Sequence, residues 1–202
     1  MSIRAVIFDF GNVVGFFDHR RATRRLARFS PLPEEAIYEF LFNGRLEDDF
    51  EAGRLSVPDF LRTLHEACRI QGDDEDLASL FGDIFTPNAE VCALVPELKA
   101  RYRLVLGSNC TPLHSQQFRR QFADTLKNFD GLVLSHKIGV RKPKAAFYQE
   151  CVRIGACAAE ECVFIDDLHA NVEGAIACGL HGVVYRQAAE LHDMMRALGI
   201  QV

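Results

Sequence analysis

Basic residues are not in excess in this sequence. Its 202 residues include 23 lysines and arginines against 28 aspartates and glutamates, a formal net charge of −5 at pH 7. Nucleic-acid-binding domains usually carry a basic surplus, so this balance disfavours a nucleic-acid partner. A ligand that bears a phosphate group would have to be attracted by local rather than overall charge.

Long hydrophobic runs are also lacking. No stretch of the sequence approaches the ~18 to 20 uninterrupted apolar residues of a membrane span. The first strand-like run begins close to the N-terminus, without the charged, apolar and small-residue pattern of a secretory signal. We therefore expect a cytoplasmic protein without a membrane partner.

Proline, glycine and paired cysteines are scarce. Only 7 prolines and 14 glycines accompany 49% hydrophobic residues, a globular composition that leaves no room for a long disordered tail. The seven cysteines are odd in number and form no CxxC pair, which argues against a zinc or redox site and for reduced, mostly buried thiols. The length suits one domain with an insertion, or one domain with a small second one.

Apolar runs and helical patterns alternate along most of the chain. The runs are typical of buried parallel strands and recur at residues 5–10, 104–107, 131–134, 162–165 and 182–185. The helical patterns cover residues 88–100, 112–122, 143–154 and 171–178. This alternation predicts an α/β fold with a Rossmann-like parallel sheet.

Residues 16–87 differ from the rest of the chain. They contain helical patterns at 20–29, 34–42, 57–69 and 76–84 but no convincing strand. We therefore predict a catalytic core formed by residues 1–15 and 88–202, with an inserted helical cap at residues 16–87. The acidic stretch "EDDFE", residues 47–51, lies near turns and helix starts, where acids complement the helix dipole, and we assign it no chemical role.

Polar residues stand at the ends of the predicted strands or just before a helix. Asp9 ends the first run, "VLGSN" ends with Ser108 and Asn109, and "VFIDD" ends with Asp166 and Asp167. Lys142 lies in the loop sequence "GVRKPK". Ligands of open α/β sheets bind where the carboxyl ends of the strands meet, so these residues are expected to form one site.

The chemistry of this set fits phosphoryl transfer. Three carboxylates in one site repel one another unless a hard divalent cation neutralises them, and Mg²⁺ suits such oxygen-rich sites. A carboxylate can attack phosphorus when cations screen its repulsion from the phosphate dianion. Lys142 supplies one cation, and Ser108 with nearby N–H groups can bind phosphoryl oxygens.

The motifs, in their order and spacing, resemble those of the haloacid dehalogenase-like (HAD) superfamily. They are "FDFGNVV", "LGSN", "RKPK" and "FIDDLHANVEGA", and the helical insertion, including "FEAGRLSVPDF", is similar to the cap of the superfamily's small bacterial members. The resemblance extends over essentially the whole chain. The start Asp-x-Gly-Asn-Val looks like that of bacterial sugar-phosphate (glucose-1-phosphatase-like) phosphatases.

The resemblance implies a role for each motif residue. Asp9 would be the nucleophile and a Mg²⁺ ligand, Gly11 would lend the metal its backbone carbonyl, and Asp167 would be the carboxylate ligand with Asp166 beside it. For the phosphoryl group, the resemblance implies Ser108 and Asn109 as binding residues, with Lys142 pairing both the nucleophile and the phosphate. The implied enzyme is a Mg²⁺-dependent phosphatase of a small phosphorylated metabolite, such as a sugar phosphate.

The sequence departs from the superfamily at Gly11, where most of these phosphatases carry an Asp that protonates the leaving alcohol. The chain could use another acid, act slowly on good leaving groups, or bind phosphorylated ligands without turnover. We favour another acid, with Asp18 as first candidate and His19 as second, because aromatic neighbours in "GFFDHRR" could raise the pKa of Asp18. A plain helix-cap role for Asp18 is an equal alternative.

Three other functions are alternatives to a phosphatase, and the sequence argues against two of them. A 2-haloacid dehalogenase shares the fold and the nucleophile but needs no metal, so the Asp166–Asp167 pair argues against it. A response-regulator receiver has its acidic pair after the first strand and no place for the helical insertion. A non-catalytic binder of phosphorylated ligands is the third.

Substrate identity lies mostly in the cap, and the sequence leaves the oligomeric state open. The cap residues expected to line the site are Phe16, Phe17, His19, Arg20, Phe42, Asn43 and Arg45.

Overall fold

A computed structural model describes residues 2–201 of the chain. Its strands are β1 (Ala5–Phe8), β2 (Gly15–Phe17), β3 (Phe85–Pro87), β4 (Arg103–Ser108), β5 (Gly131–Leu134), β6 (Cys162–Asp166) and β7 (His181–Val184). Its α-helices are α1 (His19–Leu26), α2 (Glu34–Phe42), α3 (Leu46–Glu51), α4 (Val57–Ala67), α5 (Asp74–Gly82), α6 (Ala89–Lys99), α7 (Pro112–Gln121), α8 (Ala123–Leu126), α9 (Ser135–Ile138), α10 (Ala145–Gly155), α11 (His169–Ala177) and α12 (Ala188–Ala197). Short 3₁₀ turns lie between α1 and α2, at Ala27–Phe29, and between α10 and β6, at Ala159–Glu161.

Five strands form one parallel sheet in the order β5-β4-β1-β6-β7, with β1 at its centre. Both faces of the sheet are covered, so its strands are apolar at successive positions. On β1, Val6 and Phe8 join the apolar cluster on one face, whereas Ala5 and Ile7 join the cluster on the other. The predicted α/β fold with a parallel sheet is confirmed.

Each of the five strands predicted from an apolar run is present, with ends that shift by at most two residues. The sequence prediction that residues 16–87 contain no strand was wrong. Strands β2 and β3 pair antiparallel, with Phe16 opposite Thr86 and Phe17 opposite Phe85. Strands of three residues are too short to show an alternating pattern, and their partners lie about 70 residues apart along the chain.

Helices α1 to α5 lie between the two strands of this ribbon. They share an apolar cluster of their own, which includes Leu26, Phe50, Phe60 and Phe81. Helix α5 packs closely against α7. A Cβ added at Gly82 would lie 3.2 Å from the carbonyl oxygen of Leu113, so a glycine at this position permits the close approach. Helices α3, α8, α9 and α12 were not predicted from the sequence.

Several helices begin at residues that cap them. Asp18, Ser56 and Thr111 each accept a hydrogen bond from a backbone N–H in the first turn of the helix that follows. No helix within residues 2–201 is both long enough and apolar enough to cross a membrane.

Candidate active site

The predicted site residues lie at one edge of the five-stranded sheet. Asp9 follows β1 directly, Ser108 ends β4, and Asp166 ends β6. Parallel strands end at the same edge, and β1 lies between β4 and β6, so these side chains converge. Lys142 reaches the same place from the loop between α9 and α10.

The ammonium group of Lys142 is buried between two carboxylates. Its Nζ lies 2.7 Å from Oδ1 of Asp9 and 2.7 Å from Oδ2 of Asp166. It also donates a hydrogen bond to the carbonyl oxygen of Gly107 at 3.1 Å. A buried charge is tolerated only with such partners, so these contacts hold the ammonium group beside Asp9.

Donors surround both carboxylate oxygens of Asp166. The backbone N–H of Leu168 donates to Oδ1 at 2.8 Å, and Nδ2 of Asn171 lies 3.0 and 3.1 Å from the two oxygens. Lys142 donates to Oδ2. Asp166 therefore holds both the Lys142 ammonium group and the turn that follows β6.

Asp167 is half-buried and less constrained. Its Oδ2 accepts a hydrogen bond from Nδ2 of Asn12 at 2.9 Å. Asn12 has a φ of +56°, the left-handed conformation that asparagine adopts more readily than most residues, in the turn after Gly11. One carboxylate oxygen from each of Asp9, Asp166 and Asp167 lies within 4.8 Å of the other two.

Negative charge exceeds positive charge at this point, since three carboxylates lie close together and one ammonium group contacts only two of them. Burial, with the charges of Asp166 and Asp167, raises the pKa of Asp9 to about 8, although Lys142 opposes the shift. Burial lowers the pKa of Lys142, but its two carboxylate partners outweigh burial and raise it. Carboxylate oxygens that lack compensating charge are the ligands that Mg²⁺ prefers, so the residues present fit this ion.

Ser108 and Asn109 lie beside this charge cluster. The side chain of Asn109 brackets the backbone of Lys142, because its Oδ1 accepts from the Lys142 N–H at 2.9 Å and its Nδ2 donates to the Lys142 carbonyl at 3.3 Å. The buried Ser108 hydroxyl lies 3.3 Å from the carbonyl oxygen of Asn109. Asn109 therefore fixes the loop that carries Lys142.

A cavity of about 220 Å³ opens above the sheet edge and extends to the helical insertion. Its apolar lining consists of Phe10, Phe17, Ile84, Phe85, Phe118 and Leu168. The predicted nucleophile, phosphate-binding and metal-binding residues that line it are Asp9, Gly11, Ser108, Asn109, Lys142 and Asp167. The other polar lining residues are Asn12, His19, Glu47, Glu51, Cys110, His114, Arg141 and Asn171.

Asp18 is not brought together with the other predicted residues. Its Oδ1 accepts from the N–H of Arg20 at 2.9 Å, its Oδ2 pairs with Arg24 at 2.7 Å, and its side chain is 54% exposed. Asp18 therefore caps α1 and points away from the cavity. The next residue, His19, lines the cavity, where burial lowers its pKa to about 4.

Two of the seven cap residues expected to line the site, Phe17 and His19, do so. Residues 16–87 contribute four others that the sequence did not single out, the apolar Ile84 and Phe85 and the acidic Glu47 and Glu51. The two glutamates are the unexpected ionisable ones. Both belong to the acidic stretch that received no role, because charged residues near a helix start resemble an ordinary solvated turn. Their i, i+4 spacing on α3 places them on one face of the helix, and that is the signal that was missed.

Two residues near the end of β4 complete the wall of the cavity. The ring of His114 stacks on Phe81 with centroids 4.6 Å apart, and its Nε2 has no hydrogen-bond partner in residues 2–201. Burial lowers the pKa of His114 to about 3. Burial and the nearby Glu51 raise the pKa of the Cys110 thiol, so it stays protonated and is a poor nucleophile.

Comparison with known proteins places the chain in one family. Residues 3–179 match the sequence pattern of haloacid dehalogenase-like hydrolases. Phosphatase MT3486 of Mycobacterium tuberculosis (strain CDC 1551 / Oshkosh) is 28% identical over 199 residues, which cover 96% of this chain and 92% of that protein.

Solved structures share the fold. A HAD-like family hydrolase of Porphyromonas gingivalis aligns over 100% of both chains with a TM-score of 0.83 and 24% identity. The HAD family enzyme bt-2542 of Bacteroides thetaiotaomicron, in complex with magnesium and inorganic phosphate, aligns over 94% of this chain and 99% of its own with a TM-score of 0.80 and 17% identity. The family match over most of the chain, together with this shared fold, leads to one conclusion: the protein belongs to the haloacid dehalogenase-like hydrolases.

Proposed function

We propose that the protein is a Mg²⁺-dependent phosphatase that hydrolyses a small phosphate monoester through an aspartyl-phosphate on Asp9. The observation that carries this proposal is the cluster of three carboxylates at the floor of the cavity, two of which pair with the buried ammonium group of Lys142. A carboxylate can approach a phosphate dianion only where positive charge screens their repulsion. This site has many oxygen ligands but little positive charge, so a bound divalent cation would supply the screening charge.

The residues that would hold Mg²⁺ are Asp9, the backbone carbonyl of Gly11 and Asp167, with Asp166 beside them. When bound, the ion would screen the charges of the nucleophile and the phosphate. The enzyme bt-2542, which shares this fold, was solved in complex with magnesium and inorganic phosphate, and this supports the assignment.

Asp9 is positioned to act as the nucleophile. Its Oδ1 accepts from the N–H of Phe10 at 2.7 Å and pairs with Lys142, which leaves Oδ2 without a donor among residues 2–201. In the proposed reaction an Asp9 oxygen bonds to phosphorus while the ester P–O bond breaks, and water then releases inorganic phosphate. Ser108, Asn109 and Lys142 would bind the phosphoryl oxygens.

The cap would determine which ester enters. We assign residues 1–15 and 88–202 to the catalytic core and residues 16–87 to the cap, joined by the ribbon of β2 and β3. A cavity of about 220 Å³ supports a small phosphorylated metabolite. A sugar phosphate as the substrate, a cytoplasmic location and the lack of nucleic-acid and membrane partners remain predictions.

A panel of phosphate monoesters, assayed with Mg²⁺ for release of inorganic phosphate, tests the function. The wild-type protein should turn over at least one ester and lose this activity in EDTA. The variant Asp9→Asn should be inactive on every ester. Asp124→Asn, which changes a side chain 99% exposed to solvent, is the matched control and should stay active.

The same assays separate the alternatives. Halide release from a 2-haloacid that persists in EDTA would identify a dehalogenase. Tight binding of a phosphorylated ligand with no turnover of any ester would identify a non-catalytic binding protein. Either result would reject the phosphatase proposal.

A further inference from the structure

The position two residues after the nucleophile has little room for a side chain. A Cβ built at Gly11 would lie 3.0 Å from Cε1 and 3.3 Å from Cδ1 of Phe17. An alkyl alcohol is a poor leaving group unless its oxygen is protonated as the P–O bond breaks. The proton must therefore come from another residue that lines the cavity.

Most ionisable groups of the cavity cannot supply that proton at neutral pH. Burial lowers the pKa values of His19 and His114 to about 4 and about 3, so both rings are uncharged. The Cys110 thiol is too weak an acid, because burial raises its pKa. Burial raises the pKa of Glu51 as well, but its carboxylate lies 2.8 Å from Nε of Arg141, and this ion pair favours the charged form.

One cap carboxyl group is left, that of Glu47 on α3. The C-terminal end of this helix is tied to the segment that follows β5, because the hydroxyl of Ser135 donates to the Glu51 carbonyl at 2.6 Å. Arg141 forms ion pairs with Asp48 and Glu51. Arg141 directly precedes Lys142, which contacts Asp9, so these ion pairs link α3 to the loop that carries Lys142.

The surroundings of Glu47 favour its protonated form. Burial raises its pKa to about 8, Glu51 and Asp48 add to the shift, and Arg141 opposes it. His19 lies on α1 with its Nε2 3.5 Å from Oε1 of Glu47. The imidazole of His19 is uncharged and so gives no ionic support to a Glu47 carboxylate.

We propose that Glu47 is the general acid of the reaction and gives its carboxyl proton to the ester oxygen as the bond between that oxygen and phosphorus breaks. This inference rests on the proposed phosphatase function. After the first step the alcohol is neutral, Asp9 carries the phosphoryl group and Glu47 is a carboxylate. In the second step Glu47 takes a proton from the water that attacks phosphorus, which restores its carboxyl group and frees Asp9.

The test compares leaving groups that need protonation with one that does not. The quantity measured is kcat/KM, which covers the steps up to release of the alcohol and so excludes the later hydrolysis. Glu47→Gln keeps the size of the side chain but removes the acid. It should lower kcat/KM for an alkyl phosphate by about 10²-fold and change kcat/KM for 4-nitrophenyl phosphate by less than about threefold.

The matched control is Glu66→Gln, which changes an exposed cap glutamate outside the cavity and should leave both values unchanged. An equal effect of Glu47→Gln on both substrates would reject Glu47 as the proton donor. The same selective loss in His19→Asn or Asp18→Asn, with none in Glu47→Gln, would assign the role to that residue instead.

The dependence of kcat/KM on the leaving group, measured on the wild-type protein alone, is a second test of the general acid. Across a series of alkyl and aryl phosphates, kcat/KM should change little with the pKa of the leaving alcohol, because Glu47 protonates the poor leaving groups. A steep fall with rising alcohol pKa would show that no acid acts and would overturn the inference. Failure of the wild-type protein to hydrolyse any ester would instead reject the proposed function.

Discussion

Phe17 and Gly11 are complementary, since the ring of Phe17 leaves little room for a Cβ at Gly11. A Cβ at Gly11 would be 3.0 Å from Cε1 of Phe17. Gly11→Ala should therefore destabilise the protein by about 1 kcal/mol, as overpacking usually does, and Phe17→Ala should remove most of that cost in the double variant. Urea unfolding of the four proteins measures the coupling.

Gly44→Ala is the control, because a Cβ there would meet only the carbonyl oxygen of Phe40 at 3.9 Å. Costs that simply add in the double variant would contradict the packing relationship between Gly11 and Phe17.

Removal of the buried ammonium group should be costly. Lys142→Met leaves the carboxylates of Asp9 and Asp166 unpaired, and we expect a loss of about 3–5 kcal/mol in the free energy of unfolding. Adding Asp166→Asn should recover part of that loss but no activity. Urea unfolding in EDTA measures the effect, and Lys144→Met, at an exposed neighbouring position, should cost little. A loss in Lys142→Met no larger than in this control would refute the expectation.

Mg²⁺ should stabilise the folded protein. Binding to the native state alone at a concentration of ~100 times Kd adds about 2.7 kcal/mol to the free energy of unfolding. Asp167→Asn should abolish most of this gain, because its carboxylate is one of the proposed ligands. Thermal unfolding with MgCl₂ or EDTA measures it, and an unchanged response of Asp167→Asn would remove Asp167 from the metal site.

The charge of the cavity wall should select against anionic leaving groups. The one arginine among the described lining residues, Arg141, is neutralised by Asp48 and Glu51. Carboxymethyl phosphate should therefore have a kcat/KM at least about tenfold below that of 2-hydroxyethyl phosphate, because juxtaposed like charges are unfavourable. Glu51→Gln removes one of the two negative partners of Arg141, leaving only Asp48, and should narrow the gap. Faster turnover of the carboxylate ester by the wild-type protein would contradict the prediction.

His114 should make the protein less stable in acid. Burial lowers its pKa to about 3 in the folded state, whereas an unfolded histidine titrates near 6.5. Between these values the unfolded state binds one more proton, so stability falls as pH decreases below about 6.5, by up to about 1.4 kcal/mol per pH unit. His114→Phe should reduce this slope in urea unfolding from pH 6.5 to 4.5. The control variant His169→Phe, at an exposed position, should keep the wild-type slope of stability against pH. Equal slopes in the two variants would show that His114 is not the cause of the acid sensitivity.

Much of the sheet and of the charge cluster could be predicted, because each is encoded locally. A strand buried on both faces is a continuous apolar run, and the residue after it necessarily lies at the sheet edge. Asp9, Ser108 and Asp166 therefore stand together in the structure as the sequence suggested. Their chemical roles stay proposals that the experiments above address.

The cap was harder to predict, because its contribution depends on orientation. Asp18 and His19 are neighbours in the chain, yet one caps α1 at the surface and the other lines the cavity. Glu47 has the local sequence of a solvated acidic turn, yet in the folded chain it lies beside His19 and lines the cavity. A helix turns by about 100° per residue, so a shift of one position changes which side chain faces the site.

By itself, the sequence determined the α/β architecture, the insertion of helices after the first strand and the residues at the strand ends, since these follow from periodicity and chain order. Only the tertiary structure decided that Phe17 fills the space beside Gly11 and that Glu47, rather than Asp18, faces the cavity. These relationships join residues far apart in the chain, through packing of the cap on the core, and no local pattern records them.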